Sequence, residues 1–157
     1  MLLIIDTCIL HKVFNSQSPY FPEYKSVHKC ITNCKGVMIY GGETFKKEYK
    51  DFLSSKENKN RKLFIELNNK KKIKELPKDE VDTLEAKLYL IERYGKNKFN
   101  DAHLIACCII GKCKLICTDD SRADKYLKNK KFYSKSTMRP SIYRNIKHQH
   151  LLSKCWS

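Results

Sequence analysis

Residues 1–10 read MLLIIDTCIL, an apolar run interrupted by one aspartate. The stretch LLII is typical of a short strand buried on both faces, as the strands of parallel sheets are. Asp6 closes this strand, and the residues from Thr7 to Phe14 have the pattern of a helix. A carboxylate in the most apolar part of a polar chain needs partners, because burying a charge alone is costly. Asp6 is therefore a candidate functional residue, and its partners have to be sought elsewhere in the chain.

Strands and helices alternate along the rest of the sequence. Further strands are predicted at 37–40 (VMIY), 114–118 (KLICT) and, at the edge of the sheet, 130–134 (KKFYS). Segments with helical periodicity lie at 23–34, 43–55, 56–72, 79–94, 101–110 and after 119. This alternation predicts the α/β class, with a central, mainly parallel sheet flanked by helices as an α/β/α sandwich. A chain of 157 residues suits one domain. We expect the domain to cover residues 1–135, followed by a basic C-terminal tail at 136–157.

The chain is strongly basic, with 32 Lys and Arg against 17 Asp and Glu and a formal net charge of +15. The excess is greatest in residues 124–157, which carry nine basic side chains and one acid. Such a field attracts polyanions, nucleic acid first and an anionic membrane surface second. The predicted nucleic-acid contacts in this segment are Lys130, Lys131, Arg139 and Arg144. Candidates for stacking on bases are the aromatic residues Tyr133, Tyr143 and Trp156.

Membrane and secretory signals are not found in the sequence. No segment approaches the roughly 20 apolar residues that a membrane span requires. The N-terminal run has no basic start, and Asp6 interrupts its apolar part, unlike a signal peptide. We therefore expect a cytoplasmic location and no membrane partner.

The eight cysteines stand at positions 8, 30, 34, 107, 108, 113, 117 and 155. Two pairs with four-residue spacing, Cys30/Cys34 and Cys113/Cys117, make a shared zinc site conceivable. However, neither pair has the tight C-x2-C spacing of a zinc knuckle, and some eighty residues separate them. The prediction is therefore free thiols, buried or half-buried, in a reducing compartment.

Acidic residues stand where the predicted strands and helices meet. LLII runs into Asp6, KLICT runs into Asp119 and Asp120, and the apolar helix 101–110 begins with Asp101. The helix after the second strand carries two glutamates. Because the carboxyl ends of parallel strands lie at one edge of a sheet, these side chains are expected to meet there.

Each acid alone has a structural explanation, as a helix cap or a turn residue. Together, however, they would repel one another, raise one another's pKa and destabilise the fold unless a cation neutralised them. Mg²⁺ and Mn²⁺ prefer such oxygen ligands. An acidic pocket on a basic protein suits metal-assisted phosphodiester hydrolysis, in which the basic surface gathers nucleic acid and the acids hold the metal.

Three stretches, in the same order, resemble the motifs of the PIN-domain ribonucleases, the family that includes the VapC-type toxins of bacterial toxin–antitoxin pairs. LLIIDTCIL (2–10) resembles the opening strand with its Asp-Thr, and GETFKKEYKDFL (42–53) resembles the helix with the second acid. NDAHLIACCIIGKCKLICTDD (100–120) resembles the third and fourth motifs together. The match covers about residues 2–127 and leaves the tail outside. The resemblance implies a single PIN-like domain, a metal-dependent endoribonuclease, with the catalytic acids Asp6, Glu48, Asp101 and Asp120.

The second acid has two candidates on one helix. Glu43 shares its face with three lysines, as in a solvated salt-bridge stripe. Glu48 lies beside Phe45 and Phe52, towards the buried side, and the family's acid-Tyr pattern resembles Glu48 and Tyr49. We therefore favour Glu48 over Glu43.

The fourth acid is also left with two candidates. The family's Thr-x-Asp pattern indicates Asp120, while some relatives use the acid directly after Thr, which is Asp119. Both are retained, so the predicted ligands of Mg²⁺ or Mn²⁺ are Asp6, Asp101, Asp119 and Asp120. Glu85 is a candidate outer acid, although a surface position is the favoured prediction for it.

The resemblance also implies the partners. One is RNA, single-stranded or structured, which would be cleaved to leave a 5′-phosphate and a 3′-hydroxyl. The others are a sister subunit in a homodimer and an antitoxin whose basic side chain would fill the acidic pocket. Toxin, phage-defence and RNA-processing roles share this chemistry and stay open. The role of the tail also stays open: it could bind RNA, dock an antitoxin or sister subunit, or be a solvated, flexible end. The alternative from another class is a non-catalytic RNA-binding PIN-like module whose acids are structural.

Overall fold

The computed structural model describes residues 1–54, 61–91 and 100–156. The strands there are β1 (Leu2–Ile5), β2 (Val37–Tyr40), β3 (Ile73–Glu75), β4 (Leu115–Cys117) and β5 (Ser141–Tyr143). They form one sheet in the order β3-β2-β1-β4-β5, and every neighbouring pair is parallel. The α-helices are α1 (Leu10–Phe14), α2 (Phe21–Thr32), α3 (Gly42–Ser54), α4 (Arg61–Asn69), α5 (Lys78–Ile91), α6 (Ala102–Ile110), α7 (Asp124–Leu127) and α8 (Ser153–Trp156). Within these ranges, none of the helices combines the length and apolar character that crossing a bilayer requires.

The sheet is covered on both faces, which confirms the predicted α/β/α sandwich. Successive strand residues point to opposite faces. Thus Leu3 and Ile5 pack into one apolar cluster with α1, α2 and α4, and Ile4 packs into the other with α5, α6 and α7. Helix α3 contributes to both clusters, through Phe45 on one side and Tyr49 on the other. The nearly all-apolar helix predicted at 101–110 is α6, and it lies in the second cluster, as its composition requires.

A glycine sets the start of α3. Gly42 has a φ of +77°, a left-handed conformation that favours glycine. A Cβ at this position would lie 2.7 Å from the Val81 side chain of α5. The glycine therefore permits the start of α3 to approach α5 closely.

Strand β3 was not predicted from the sequence. It consists of three residues, Ile73–Glu75, which pair with β2 at the edge of the sheet and are partly exposed. Because its side chains are mostly charged, it carries no apolar pattern that would distinguish it from the lysine-rich end of the preceding helix. The segments 55–60 and 92–99, which contain parts of the predicted helices, lie outside the described residues.

The prediction of an edge strand at 130–134 is wrong. Residues Lys130–Phe132 form a 3₁₀ turn capped by the side chain of Asn129. Phe132 and Tyr133 are both buried in the same cluster, whereas a strand would have placed them on opposite faces. The edge strand next to β4 is β5 instead, so the segment set apart as a tail contributes a strand to the sheet.

The expectation that all cysteines are free is also wrong for one pair. Cys30 of α2 and Cys155 of α8 form a disulfide with a Cα–Cα distance of 5.6 Å. Both residues are buried, and the bond ties the C-terminal helix to the face of the sheet that α2 covers. A zinc site shared by Cys30, Cys34, Cys113 and Cys117 is excluded in this state, since Cys30 has another partner.

Candidate active site

Asp6 lies at the carboxyl end of β1, and both of its carboxylate oxygens accept hydrogen bonds. The hydroxyl of Thr118, which follows β4, donates to Oδ2 over 2.7 Å. The backbone N–H of Cys8 donates to Oδ1 over 3.2 Å. Asp6 is only 8% exposed. These donors allow a carboxylate to stand at the end of a buried strand, because a buried charge needs hydrogen-bond partners.

The two glutamates of α3 lie in different surroundings. Oε2 of Glu48 accepts a 2.8 Å hydrogen bond from the hydroxyl of Thr7, the residue after Asp6. Glu43 is 67% exposed at its side chain and pairs with Lys78 over 3.1 Å. The hydrogen bond and charge of Lys78 hold the pKa of Glu43 below its usual range. The structure therefore brings Glu48, and not Glu43, to the carboxyl end of β1.

Asp101 stands directly before α6 and is half-buried. Burial raises its pKa to about 6, because the charged form loses water. The negative charges of Asp6, Asp120 and Glu48 raise the pKa further. The acids Asp6, Glu48 and Asp120, each from a different element, thus lie close enough to Asp101 to act on its charge.

Asp119 and Asp120, which follow β4, have different cationic partners. Asp119 forms an ion pair with Lys12 of α1 and accepts a contact from the Cys8 thiol at 3.5 Å. Asp120 is clasped by Arg122, whose Nε and Nη2 donate over 2.9 and 2.8 Å. This arginine holds the pKa of Asp120 below its usual range. Only Asp120 of the two is among the charges that raise the pKa of Asp101 most.

Comparison with known proteins identifies the family. The family model described as the PIN domain matches residues 38–129, more than half of the chain. The chain belongs to the PIN domain family. No curated protein and no solved structure matches it. PIN domains are typically nucleases and generally use divalent metals, and membership supports a nuclease of this general kind. The matched segment contains Glu48, Asp101 and Asp120, while β1 with Asp6 lies before it.

The chemistry of the donors in this PIN domain fits a hard divalent cation. All four acids offer oxygen, the ligand that Mg²⁺ and Mn²⁺ prefer. After burial, the negative charges of the other three acids raise the pKa of Asp101, and a cation beside them would neutralise these charges. Within the described ranges, however, no three His, Cys, Asp or Glu side chains stand in a ligating arrangement. Among these acids, Asp120 is paired with Arg122 in the metal-free protein.

A fifth carboxylate lies beside the four acids, although a surface position was predicted for it. Glu85 of α5 is 6% exposed and accepts hydrogen bonds from Thr44 (2.9 Å) and Tyr89 (3.3 Å). The pKa of Tyr89 is raised to about 12, first by burial and then by Glu85, with contributions from Asp101 and Glu48. The surface prediction was wrong because α3 covers this face of α5, which helical spacing within α5 alone cannot reveal.

The predicted nucleic-acid contacts differ in their availability. Lys130 and Lys131 are exposed on the 3₁₀ turn. Arg139 is half-buried, and its Nε lies 3.4 Å from the carbonyl oxygen of Ser136. Arg144 pairs with Asp124 and donates to the carbonyl oxygen of Asp120 over 3.2 Å. It therefore has a structural role in holding the segment after β4.

Two of the aromatic residues predicted to stack on bases cannot do so in this fold. Tyr133 is buried, and its hydroxyl donates to the carbonyl oxygen of Leu127. Tyr143 is fully buried in β5 and donates to the carbonyl oxygen of Glu23. Their rings belong to the two apolar clusters, a role that the basic composition of the segment conceals. The side chain of Trp156 lies outside the described part of the chain.

Proposed function

We propose that this PIN domain is a divalent-metal-dependent endoribonuclease that hydrolyses phosphodiester bonds of RNA. The observation that carries the proposal is the meeting of four carboxylates at one rim of the sheet, from Asp6, Glu48, Asp101 and Asp120. Crowded carboxylates destabilise a fold unless a cation neutralises them, and the pKa of Asp101 is raised by burial and then by the charges of the other three acids. The chain around this acidic rim carries a net charge of +15, which favours a polyanionic substrate.

Hydrogen bonds from neighbouring residues orient two of the acids before any metal binds. Thr118 and the Cys8 backbone hold Asp6, and Thr7 holds Glu48. A bound Mg²⁺ or Mn²⁺ would neutralise these charges, act as a Lewis acid on the phosphate and lower the pKa of water. Burial raises the pKa of Asp101 to about 6, so its carboxylate is suited to accept a proton near neutral pH. No side-chain nucleophile is needed.

Basic side chains near the rim supply contacts for RNA. Arg122 stands beside Asp120, and its side chain is 87% exposed. Lys130 and Lys131 follow in the same segment of chain. Such exposed cations bind phosphates without reading sequence, so they account for affinity and leave the target RNA open. A role as a toxin with an antitoxin, a homodimer and a cytoplasmic location are proposed from the resemblance to VapC-type toxins.

The test is cleavage of labelled single-stranded RNA in Mn²⁺, with and without a chelator. Wild type is compared with Asp6→Asn and Asp101→Asn, and the matched control is Glu43→Gln on the exposed side of α3. We expect chelator-sensitive cleavage that is lost in both Asp variants and kept in the control. Glu48→Gln is expected to lose cleavage as well. Cleavage retained by Glu48→Gln but lost in Glu43→Gln would reassign the second acid.

A second function is favoured by one observation. Asp6, Glu48 and Asp120 each have a donor within the protein, from Thr118, Thr7 and Arg122 respectively. Acids balanced in this way would suit a non-catalytic RNA-binding module. The same experiment separates the two functions, because a binding module would bind the RNA without cutting it and would bind equally well in both Asp variants.

A further inference from the structure

A buried histidine, His103, lies beside the acid cluster. His103 lies on α6, whose other residues are all apolar, and it is 2% exposed. Among the residues that the structure describes, neither ring nitrogen has a hydrogen-bond partner. Leaving buried polar atoms unpaired is costly, and a leucine at this position would avoid that cost. We therefore expect the imidazole to form a hydrogen bond with a polar neighbour.

The nearest charged group is the second acid. Nε2 of His103 lies 3.7 Å from Oε2 of Glu48, the same oxygen that accepts from Thr7. Shortening this distance by about 0.7 Å would make an ordinary hydrogen bond. The Glu48 side chain is 39% exposed and has room for such a movement, whereas the ring is fixed by packing.

The packing that fixes the ring comes from α3 itself. The Phe45 ring lies against the imidazole with a centroid distance of 5.3 Å and an interplanar angle of 60°. Phe45 stands three residues before Glu48, so the same helix both holds the ring and carries its polar neighbour. His103 also stands two residues after Asp101 in the chain.

We propose that His103 is a positioning residue, which donates a hydrogen bond from Nε2 to Oε2 of Glu48 and, together with Thr7, fixes this carboxylate for a divalent cation. The proposal rests on the metal-dependent function proposed above. In this hydrogen bond Nε2 is the donor, because a carboxylate oxygen can only accept. Groups that orient a metal-binding side chain in this way commonly change metal affinity about 10- to 100-fold when removed.

If His103 only filled space in the core, the expected results would be the opposite. His103→Leu would then leave Mn²⁺ affinity unchanged, because leucine fills the same apolar space. If His103 positions Glu48, His103→Leu weakens Mn²⁺ binding although it removes two unpaired polar atoms from the core. Its thermal midpoint is then expected to be no lower than that of wild type. Loss of affinity without loss of stability distinguishes positioning from packing.

The experiment is calorimetric titration of the metal-free full chain with Mn²⁺. The variants are His103→Leu and His103→Gln, whose amide N–H can replace the ring donor. The control is His150→Leu, which removes an exposed imidazole. We expect binding about 10- to 100-fold weaker in His103→Leu, restored largely by His103→Gln and unchanged in the control. Wild-type affinity in His103→Leu, or equal losses in the Leu and Gln variants, would overturn the proposal.

A double-mutant cycle separates this inference from the proposed function. The free energy of unfolding in urea is measured without metal for wild type, His103→Leu, Glu48→Ala and the double variant. Non-additive effects are expected if the two side chains interact, and additive effects overturn the proposal whatever the wild type does with Mn²⁺. A wild type that binds no Mn²⁺ overturns the proposed function and, with it, the metal-positioning role, while non-additivity would still establish the contact.

Discussion

The hydroxyl of Thr118 joins the ends of two neighbouring strands by donating a 2.7 Å hydrogen bond to Oδ2 of Asp6, 112 residues earlier in the chain. The same hydroxyl oxygen accepts from the backbone N–H of Asp120 over 3.1 Å. One fully buried side chain therefore fixes the first acid of the rim and the backbone of the fourth. This arrangement requires a hydroxyl, because no apolar side chain of the same shape can donate and accept.

Thr118→Val tests this arrangement. Valine has the same shape but offers no hydrogen bond, so a buried carboxylate loses one of its two donors. We expect the free energy of unfolding to fall by about 2 kcal/mol, the range for a hydrogen bond to a charged group. Urea unfolding at neutral pH measures it, with Thr83→Val on the exposed side of α5 as the control. Equal stability of Thr118→Val and wild type would mean that Asp6 does not depend on this donor.

Asp101 makes the stability of the metal-free protein depend on pH. Its carboxyl has a pKa of about 6 in the fold against 3.8 without the fold, so the folded state binds more protons between these values. The contribution of Asp101 to stability is therefore present below about pH 4 and lost as the pH rises through 6. Asp101→Asn is expected to exceed wild type in stability at pH 7 by about 1 kcal/mol, allowing for screening by solvent.

Urea unfolding in chelator at pH 4, 5, 6 and 7 measures this difference, which should vanish near pH 4. The lowered pKa of Asp120 acts with the opposite sign, but only below the usual Asp range, so the two windows are separate. Glu43→Gln is the control, because the pKa of Glu43 is lowered by Lys78 and its loss cannot stabilise the protein at pH 7. An Asp101→Asn variant less stable than wild type at pH 7 would contradict the crowding of the acids.

The sequence predicted those parts of the fold that are dense in apolar residues. Strands β1, β2 and β4 lie at the centre of the sheet, where burial on both faces leaves a continuous apolar run. Strands β3 and β5 have three residues each and lie at the edges, so their sequences carry little apolar signal. Local patterns could not identify β5. It is separated from its partner β4 by an irregular segment of chain, so no regular alternation of strand and helix points to it.

The candidate site, like the fold, could be predicted from the sequence only in part. Asp6 and Asp120 could be placed at one rim because acids that closely follow neighbouring parallel strands lie at the same edge of the sheet. The partners of the glutamates could not be placed, because Lys78 reaches Glu43 from another helix and α3 covers Glu85. The disulfide between Cys30 and Cys155 joins residues 125 positions apart, a pairing that no spacing rule indicates. Arg122 could have been found from its position two residues after Asp120 in a turn.

That disulfide is expected to stabilise the fold. Closing so long a loop restricts the unfolded chain and contributes about 4–5 kcal/mol in the chain-entropy account. We expect a reductant to lower the thermal midpoint of wild type and to have no effect on Cys155→Ser. Cys34→Ser, which removes a free thiol from the same region, should respond to reductant as wild type does. A wild-type midpoint that is insensitive to reductant would show that the two thiols are not joined in solution.

Arg122 is expected to act on cation and RNA in opposite directions. Its guanidinium neutralises Asp120 in the metal-free protein, so a cation that binds Asp120 competes with this ion pair. Arg122→Gln should therefore bind Mn²⁺ about two- to fivefold more tightly, the range for an exposed ion pair. It should bind single-stranded RNA more weakly, with a salt dependence reduced by about one phosphate contact. Lys87→Gln, which removes one exposed charge from α5, controls for net charge. Mn²⁺ affinity that is unchanged or weaker in Arg122→Gln would exclude Asp120 from the cation site.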